Sequence, residues 1–303
     1  MHVFGQSFYT VVETKGKYML TISALNSRVT NNFKGVTLRR LIFPLFLLVS
    51  ISLYFIITSI SGNHDKEYIN IQKDVFFKLN RELSRFPLLA FNLTQLGDAL
   101  ICFPLLTVFF IYASRLWKVV LTSSVFSLIV SAGLKRIFAV PRPAAVFEPD
   151  SFVIIGKKLS GSTSLPSGHS ITVFILITTL LFAFMPANRL RRIVWQVSII
   201  TVGLLVASSR VGVGAHYPLD VVIGCTIGYI LAVLGIVFNN KINWLSWFDN
   251  RKYYPVFCLL FAIWGFLVFK KVAADNLPIY YLSIISLVVP VILMINIYVK
   301  KKD

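Results

Sequence analysis

Long apolar runs separated by short polar segments dominate this chain. Eight of them approach or reach the roughly 20 residues that an α-helix needs to cross the hydrocarbon core of a bilayer. They lie near residues 41–61, 93–113, 119–138, 170–186, 193–209, 218–238, 255–273 and 279–299, and the fourth and fifth are short. The pattern predicts an all-α fold, a polytopic membrane helix bundle of about eight spans.

The composition and the distribution of charge support a membrane protein. Hydrophobic residues make up 56% of the 303 residues, against about 45–50% in a typical soluble domain. The formal net charge of +18 would suit a nucleic-acid binder, but the basic residues cluster at alternate span ends, as at 188–192 and 299–303. The positive-inside rule then places both termini in the cytoplasm. We expect no nucleic-acid partner, and no obligate protein partner is implied.

One membrane domain accounts for the whole chain. We divide it into a cytoplasmic N-terminal segment (1–38), a six-span core (39–240), and a cytoplasmic loop with a C-terminal transmembrane hairpin (241–303). The first segment has no continuous apolar core and does not resemble a secretory signal.

Two outer segments depart from this simple pattern. Residues 66–92 carry apolar side chains at helical spacing among charged ones, which predicts an interfacial amphipathic helix; a solvated loop is the alternative interpretation. Lys270 and Lys271 would lie on the outer side, against the general distribution of basic residues.

Three polar clusters stand at span ends on the predicted outer side: "KRIFAVPRP", "SLPSGHS" and "SRVGVGAHYPLD". Each alone has an ordinary explanation, as basic residues at a membrane surface, a helix cap or a turn. Together they bring cations and histidines to one membrane face from several spans, and ionisable residues at such depths are usually functional. The candidate residues are Lys135, Arg142, Ser167, Gly168, His169, Arg210, His216 and Asp220.

The cations and the helix start suit a phosphate group. Lys135, Arg142 and Arg210 supply positive charge, and an arginine can bind two phosphate oxygens at once. Ser167 and Gly168 open the fourth span, where free backbone N–H groups and the positive end of the helix dipole favour an anion.

The two histidines suit the two roles of phosphoryl transfer. Asp220 follows His216 by four residues, so the two side chains share a face if both lie on the first turn of the sixth span. The carboxylate would fix the tautomer and leave the other ring nitrogen free to attack phosphorus. His169 would protonate the departing oxygen. No cluster has the spacing of a metal site, so we expect no metal and no cofactor.

The three clusters, in this order, resemble the three signature motifs of the type 2 phosphatidic acid phosphatase superfamily, in its integral membrane lipid phosphatase branch. The resemblance covers residues 93–238 or so, with the first span completing a six-helix core. It implies that His216 forms a phosphohistidine, that His169 acts as acid and then base, and that the three cations bind phosphate. The segment 94–99 also resembles one in bacterial members, and we interpret Asp98 as a packing residue that supports the site.

The resemblance implies a hydrolase acting on an anionic lipid phosphate or diphosphate in a bacterial inner membrane, with the site facing the periplasm. Undecaprenyl diphosphate, phosphatidylglycerophosphate, phosphatidic acid and the phosphates of lipid A are candidate substrates. A lipid phosphotransferase is a close alternative, because water and an alcohol can attack the same phosphohistidine. A non-enzymatic transporter of anionic lipids is the alternative from another class, although it leaves the two histidines without a role.

Overall fold

The computed structural model describes residues 24–58 and 64–299, which are predominantly helical and contain no strand. The all-α prediction is therefore confirmed. In chain order the helices are α1 (24–34), α2 (Ile42–Thr58), α3 (His64–Asn70), α4 (Lys73–Leu83), α5 (Pro87–Gln95), α6 (Ala99–Leu105), α7 (Phe109–Tyr112), α8 (Ser114–Phe138), α9 (Pro143–Val146), α10 (Gly168–Ala183), α11 (Arg189–Gly212), α12 (Pro218–Lys241), α13 (Tyr254–Asp275) and α14 (Pro278–Val299).

Six helical segments of the described chain are long and apolar enough to cross a membrane, and the bent pair α5–α6 would make a seventh. The helix α10 has 16 residues, about 24 Å at 1.5 Å per residue, which is shorter than a typical bilayer core. Most of its side chains are buried inside the bundle. The membrane bundle is thus confirmed, while the second and fourth of the eight predicted spans are respectively broken and short.

The second predicted span, 93–113, is not one continuous helix. It begins earlier, at Pro87, and α5 and α6 meet at a bend of 76°. Asp98 is the N-cap residue of α6, and its Oδ1 accepts a hydrogen bond of 3.0 Å from the Leu100 backbone N–H. A carboxylate at this position satisfies an N–H group that the helix start leaves without an intrahelical partner.

Two prolines explain how the C-terminal hairpin, α13 and α14, joins the broken span. A proline inside a helix removes the N–H that would bond the carbonyl four residues earlier. For Pro104 in α6 that carbonyl belongs to Leu100, and Trp264 Nε1 of α13 donates to it at 2.8 Å. For Pro290 in α14 it belongs to Ser286, and Thr107 Oγ1 donates to it at 2.6 Å.

The helices α10 and α12 cross closely at the centre of the bundle, and glycines permit this contact. A Cβ on Gly224 would come within 2.7 Å of the Ser167 carbonyl oxygen, and one on Gly228 within 2.5 Å of the Ile171 carbonyl oxygen. Absence of a side chain at these two positions therefore lets the α12 backbone lie against the start of α10. This packing fixes the second motif relative to the third.

The outer segment 66–92 is helical, as the spacing predicts, and contains α4 and parts of α3 and α5. Phe76 and Asn80 of α4 are both buried. Asn80 Nδ2 donates to the Val211 carbonyl at 3.0 Å, while its Oδ1 accepts from the Val153 N–H at 2.8 Å. A polar side chain thus ties α4 to the end of α11, beside the third motif.

Candidate active site

The three motifs meet at the end of the bundle where α8 and α11 finish and α10 and α12 begin, which we name the site end. Arg142 lies beyond α8 and is buried. Its Nη1 donates to the Ala215 carbonyl at 3.2 Å and lies 3.4 Å from His216 Nε2, while its Nε lies 3.4 Å from Thr163 Oγ1. The first motif therefore contacts the histidine of the third directly.

Lys135, in the last turn of α8, reaches the start of α10. Its Nζ lies 3.5 Å from the position that a Cβ would take on Gly168. One expectation about this helix start is wrong: the Ser167 N–H is not free, because it donates to the Asp220 backbone carbonyl at 3.1 Å. The N–H groups of Gly168 and His169 precede the first intrahelical hydrogen bond and are the ones that the helix start offers to an anion.

The Ser167 side chain has a capping role. Its Oγ accepts from the Ser170 N–H at 3.4 Å and from Ser170 Oγ at 2.9 Å. Together with the backbone bond to Asp220, these contacts hold the turn before α10 in place. Ser167 therefore shapes the phosphate-binding turn, while Gly168 leaves it open toward Lys135.

Arg210, near the end of α11, is buried and only partly hydrogen-bonded. Its Nη1 donates to Thr94 Oγ1 of α5 at 2.5 Å. Its Nε is buried without a hydrogen-bond partner among the described residues. Buried donors are normally satisfied. An unpaired guanidinium N–H beside two other cations is therefore expected in a site that binds an anion.

His216 and Asp220 are brought together, although not on one helical turn. His216 precedes α12, which begins at Pro218, and Asp220 is the third residue of that helix. His216 Nδ1 lies 3.4 Å from Asp220 Oδ2, which also accepts from the Tyr217 N–H at 2.9 Å. The expected pairing is therefore present, but a helix N-terminal turn creates it, not a shared helix face.

Two residues that position Asp220 were missed by the sequence analysis. Ser164 Oγ donates to Asp220 Oδ2 at 2.5 Å, and Tyr68 OH of α3 donates to Oδ1 at 2.7 Å. Ser164 stands at the start of the polar run that carries the second motif, so its neighbourhood offered a signal. Tyr68 lies 152 residues before Asp220, and nothing in its local sequence points to the site.

Burial sets the protonation of the groups around this carboxylate. It lowers the pKa of His216 to about 4, an effect that Asp220 opposes and that Arg210 and Arg142 reinforce. Neutral imidazole is the nucleophilic form. Burial first, and then the Asp220 charge, raise the pKa of Tyr68 well above its ordinary value, so the phenol remains a hydrogen-bond donor.

His169 is the second residue of α10 and is half-buried, while His216 is buried. The His169 side chain packs against the break in the second span, since a Cβ on Gly97 would lie 2.7 Å from His169 Cβ and 3.0 Å from its ring atom Cδ2. The structure thus places His169 at the same end of the bundle as His216, on a different helix.

Among the described residues, no group of three or more His, Cys, Asp and Glu side chains is arranged to hold a metal ion. The chemistry that the residues offer is fixed positive charge and two imidazoles. Asp98 has a partner that the sequence did not predict: its Oδ2 forms an ion pair of 2.7 Å with Lys271 of α13.

Comparison with known proteins agrees with the arrangement. Residues 116–244 match the sequence model of the PAP2 superfamily. We refer to residues 116–244 as the PAP2 segment. All eight candidate residues lie inside the PAP2 segment, whereas Tyr68, Thr94, Asp98 and Lys271 lie outside it.

A solved structure also resembles the chain. Aquifex aeolicus LpxE is 26% identical, with 55% of this chain and 95% of that one covered and a TM-score of 0.46. No curated protein matches this chain significantly. The PAP2 segment ends before α13, so the C-terminal hairpin is an addition to the part that the family defines.

Proposed function

We propose that this protein is an integral membrane phosphatase that hydrolyses a lipid phosphate or diphosphate through a phosphohistidine at His216. One observation carries the proposal: the His216 ring is held between Asp220 on Nδ1 and Arg142 on Nε2, each at 3.4 Å. A proton on Nδ1 would face the carboxylate, and the Nε2 lone pair would then point toward the cation-lined space. The match of residues 116–244 to the PAP2 superfamily model and the helical membrane bundle both agree with this role.

The reaction needs two displacements. His216 Nε2 attacks phosphorus, the bond between phosphorus and the leaving oxygen breaks, and its electron pair stays on that oxygen. The alkoxide from a lipid monophosphate takes a proton from protonated His169, whereas the lipid monophosphate released from a diphosphate leaves as an anion beside neutral His169, so the imidazole is neutral after either step. Water then attacks phosphorus, His169 accepts its proton, and the bond to Nε2 breaks with release of inorganic phosphate.

Electrostatic stabilisation comes from fixed groups. Lys135, Arg142 and Arg210 neutralise the phosphoryl oxygens in both steps, with the N–H groups at the start of α10. The unpaired Nε of Arg210 supports this assignment. Because these charges are held by buried contacts before substrate arrives, little reorganisation accompanies the reaction.

The substrate class follows from the setting of the site. The cations stand where apolar helices begin and end, so a phosphate on a lipid can enter while its hydrocarbon tail stays beside the bundle. We place the site end on the outer, periplasmic face of a bacterial inner membrane with both termini in the cytoplasm, because basic residues concentrate at the opposite span ends. In this proposal the six-span phosphatase core is 39–240, and 241–303 adds the cytoplasmic loop and the hairpin.

The deciding experiment is release of inorganic phosphate by the purified protein in detergent, from a panel of lipid phosphates and diphosphates that includes lipid A. We expect activity that survives EDTA, is blocked by vanadate, and falls by about 10⁴-fold or more in His216→Ala, as removal of a nucleophile does. Lys135→Ala should also lose activity, while Arg136→Ala, its exposed neighbour on α8, serves as the matched control.

The same assay separates the alternatives. A transporter would release no phosphate, and Arg136→Ala, Lys135→Ala and His216→Ala would be indistinguishable. A phosphotransferase would form product only when an acceptor lipid with a free hydroxyl is present. Trapping acid-labile phosphate on the wild type, but not on His216→Ala, would identify the intermediate.

A further inference from the structure

The break in the second span brings a cation from the C-terminal hairpin to the site. Lys271 of α13 is half-buried, and its Nζ lies 2.7 Å from Asp98 Oδ2 and 3.4 Å from Gln95 Oε1. Gln95 is the last residue of α5, and Asp98 is the last of the three residues that separate α5 from α6. An ammonium has three N–H donors, so one donor remains for another oxygen.

The same break contacts two residues of the site. Gly97, adjacent to Asp98, packs on His169, and Thr94, adjacent to Gln95, accepts the hydrogen bond from Arg210. Lys271 is therefore attached to a short segment that touches the general acid and one phosphate-binding cation.

The neighbouring lysine shows that this placement is specific. Lys270 is exposed and its Nζ lies 4.9 Å from the centre of the Phe266 ring on the same helix. Adjacent residues on a helix point in directions about 100° apart. Of these two lysines, Lys271 contacts the break between α5 and α6. Lys270 has the same charge and size and lies on the same helix, so it serves as the control.

We propose that Lys271 is a substrate-binding residue that recognises a second anionic group on the leaving side of the scissile bond, so that the site prefers a lipid diphosphate to the corresponding monophosphate. The inference rests on the proposed function, in which His169 marks the leaving side. Lys135, Arg142 and Arg210 surround the transferred phosphoryl group, and Lys271 is an additional cation bound to the break that packs on His169.

The chemistry of the two substrates differs at the leaving oxygen. From a diphosphate, His216 Nε2 takes the terminal phosphoryl group, and the bridging oxygen keeps the electron pair as part of a lipid monophosphate. That product carries negative charge, which the Lys271 ammonium stabilises as it develops. From a monophosphate the leaving oxygen is an alkoxide, which takes a proton from His169 and offers Lys271 no phosphate oxygen.

Asp98 must be treated together with Lys271, because removal of the lysine leaves a carboxylate without its cation beside the site. Both of its oxygens are engaged, one by the Leu100 N–H and the other by Lys271. We therefore compare Lys271→Met, the electroneutral double variant Lys271→Met/Asp98→Asn, and Lys270→Met. Farnesyl diphosphate and farnesyl monophosphate are suitable probes, since they differ by one phosphate only.

The readout is kcat/KM for each probe, expressed as the ratio of diphosphate to monophosphate. We expect Lys271→Met and the double variant both to lower this ratio by about tenfold, the scale of one hydrogen bond to a charged group. Lys270→Met should leave it unchanged. If Lys271→Met is recovered in too little folded form, Lys271→Gln and Lys271→Arg replace it, with loss of the ratio expected in the first and retention in the second.

Each remaining outcome has a definite meaning. Equal losses on both probes would make Lys271 a structural residue only and overturn the inference. Recovery of the wild-type ratio in the double variant would assign the effect to the uncompensated Asp98 charge and overturn it too. If the wild type releases phosphate from neither probe nor any lipid of the panel, the proposed function itself fails.

Discussion

Buried cations occur at both ends of this bundle, and their surroundings differ. Away from the site end, Lys118 near the start of α8 is buried and pairs with Asp249 at 2.6 Å. At the site end, Arg142 and Arg210 are buried beside Lys135 and form no ion pair with a carboxylate among the described residues, while Asp220 is bonded to Tyr68, Ser164 and the Tyr217 N–H. Burying a charge without a partner is costly.

The comparison teaches how to distinguish structural from functional charge in a membrane bundle. Lys118 has its counter-ion within the chain and lies away from the site end, so its charge is complete without a ligand. Lys271 also has a counter-ion, Asp98, and differs from Lys118 in its place at the break that packs on His169. The three site cations repel one another and await an anion. An excess of buried positive charge therefore indicates an anion-binding site. Each test below changes this site or compares it with the Lys118–Asp249 pair.

The largest effect should come from removing one cation of each kind in separate variants. Arg142→Ala should lower kcat/KM by about 10²–10³-fold, the usual result of removing one group that stabilises transition-state charge, with no loss of thermal stability. Lys118→Met should lower the unfolding midpoint while each folded molecule keeps its activity. If Arg142→Ala instead destabilises the protein and Lys118→Met abolishes activity, the contrast is wrong.

Anion binding should reveal the unmatched charge directly. Orthovanadate at 100 times its Kd should stabilise the wild type by about 2.7 kcal/mol, because a ligand that binds only the folded state shifts the unfolding equilibrium. Thermal unfolding in detergent measures the shift. Arg210→Ala should lose most of it and Lys118→Met none, whereas an equal shift in both variants would contradict a site at the cations.

Removal of one hydroxyl should test the positioning of Asp220, the carboxylate beside His216. Tyr68→Phe deletes the hydrogen bond to Asp220 Oδ1 and should reduce kcat about tenfold with little change in KM, because a net hydrogen bond to a charged group is worth about 1.5–3 kcal/mol. Tyr281→Phe, which loses an exposed bond to Asn276, is the control. An unchanged kcat in Tyr68→Phe would remove Tyr68 from the positioning of Asp220.

The smallest effect concerns pH. The pKa of His216 is lowered to about 4 in the folded chain, against about 6.5 when unfolded, so the folded state binds fewer protons between these values. Stability from this group is complete above pH 6.5 and is lost as the pH falls toward 4. The unfolding midpoint of the wild type should therefore fall more than that of His216→Gln between pH 7 and 4.5. Parallel curves would argue against a buried neutral imidazole.

The sequence predicted the motifs well because each occupies a few consecutive residues. Arg142, His169 and His216 carry their chemistry in their residue types, and apolar run length is a local signal for a membrane helix. The meeting of His216 with Asp220 also followed from spacing, although the turn before α12 produces it.

What the sequence did not predict depends on contacts between distant segments. The run 93–113 does contain Gly97 and the N-cap residue Asp98, but the packing of Gly97 on His169 depends on a distant helix and could not be predicted. Tyr68 and Lys271 reach the site from elements far away in the chain, where hydropathy gives the location of a helix but not the direction of a side chain. The Ser167 N–H was assigned to an anion because its partner, the Asp220 carbonyl, is 53 residues away.

The paired prolines have a consequence for the order in which the protein can be completed. The Leu100 carbonyl of the second span is bonded by Trp264, a residue that the ribosome adds more than 160 positions later. Until that tryptophan is in the membrane, the carbonyl faces lipid or water, and an unsatisfied backbone group in hydrocarbon costs several kcal/mol. The second span and the residues it supports, His169 among them, can therefore reach their final positions only after synthesis has produced the last two helices.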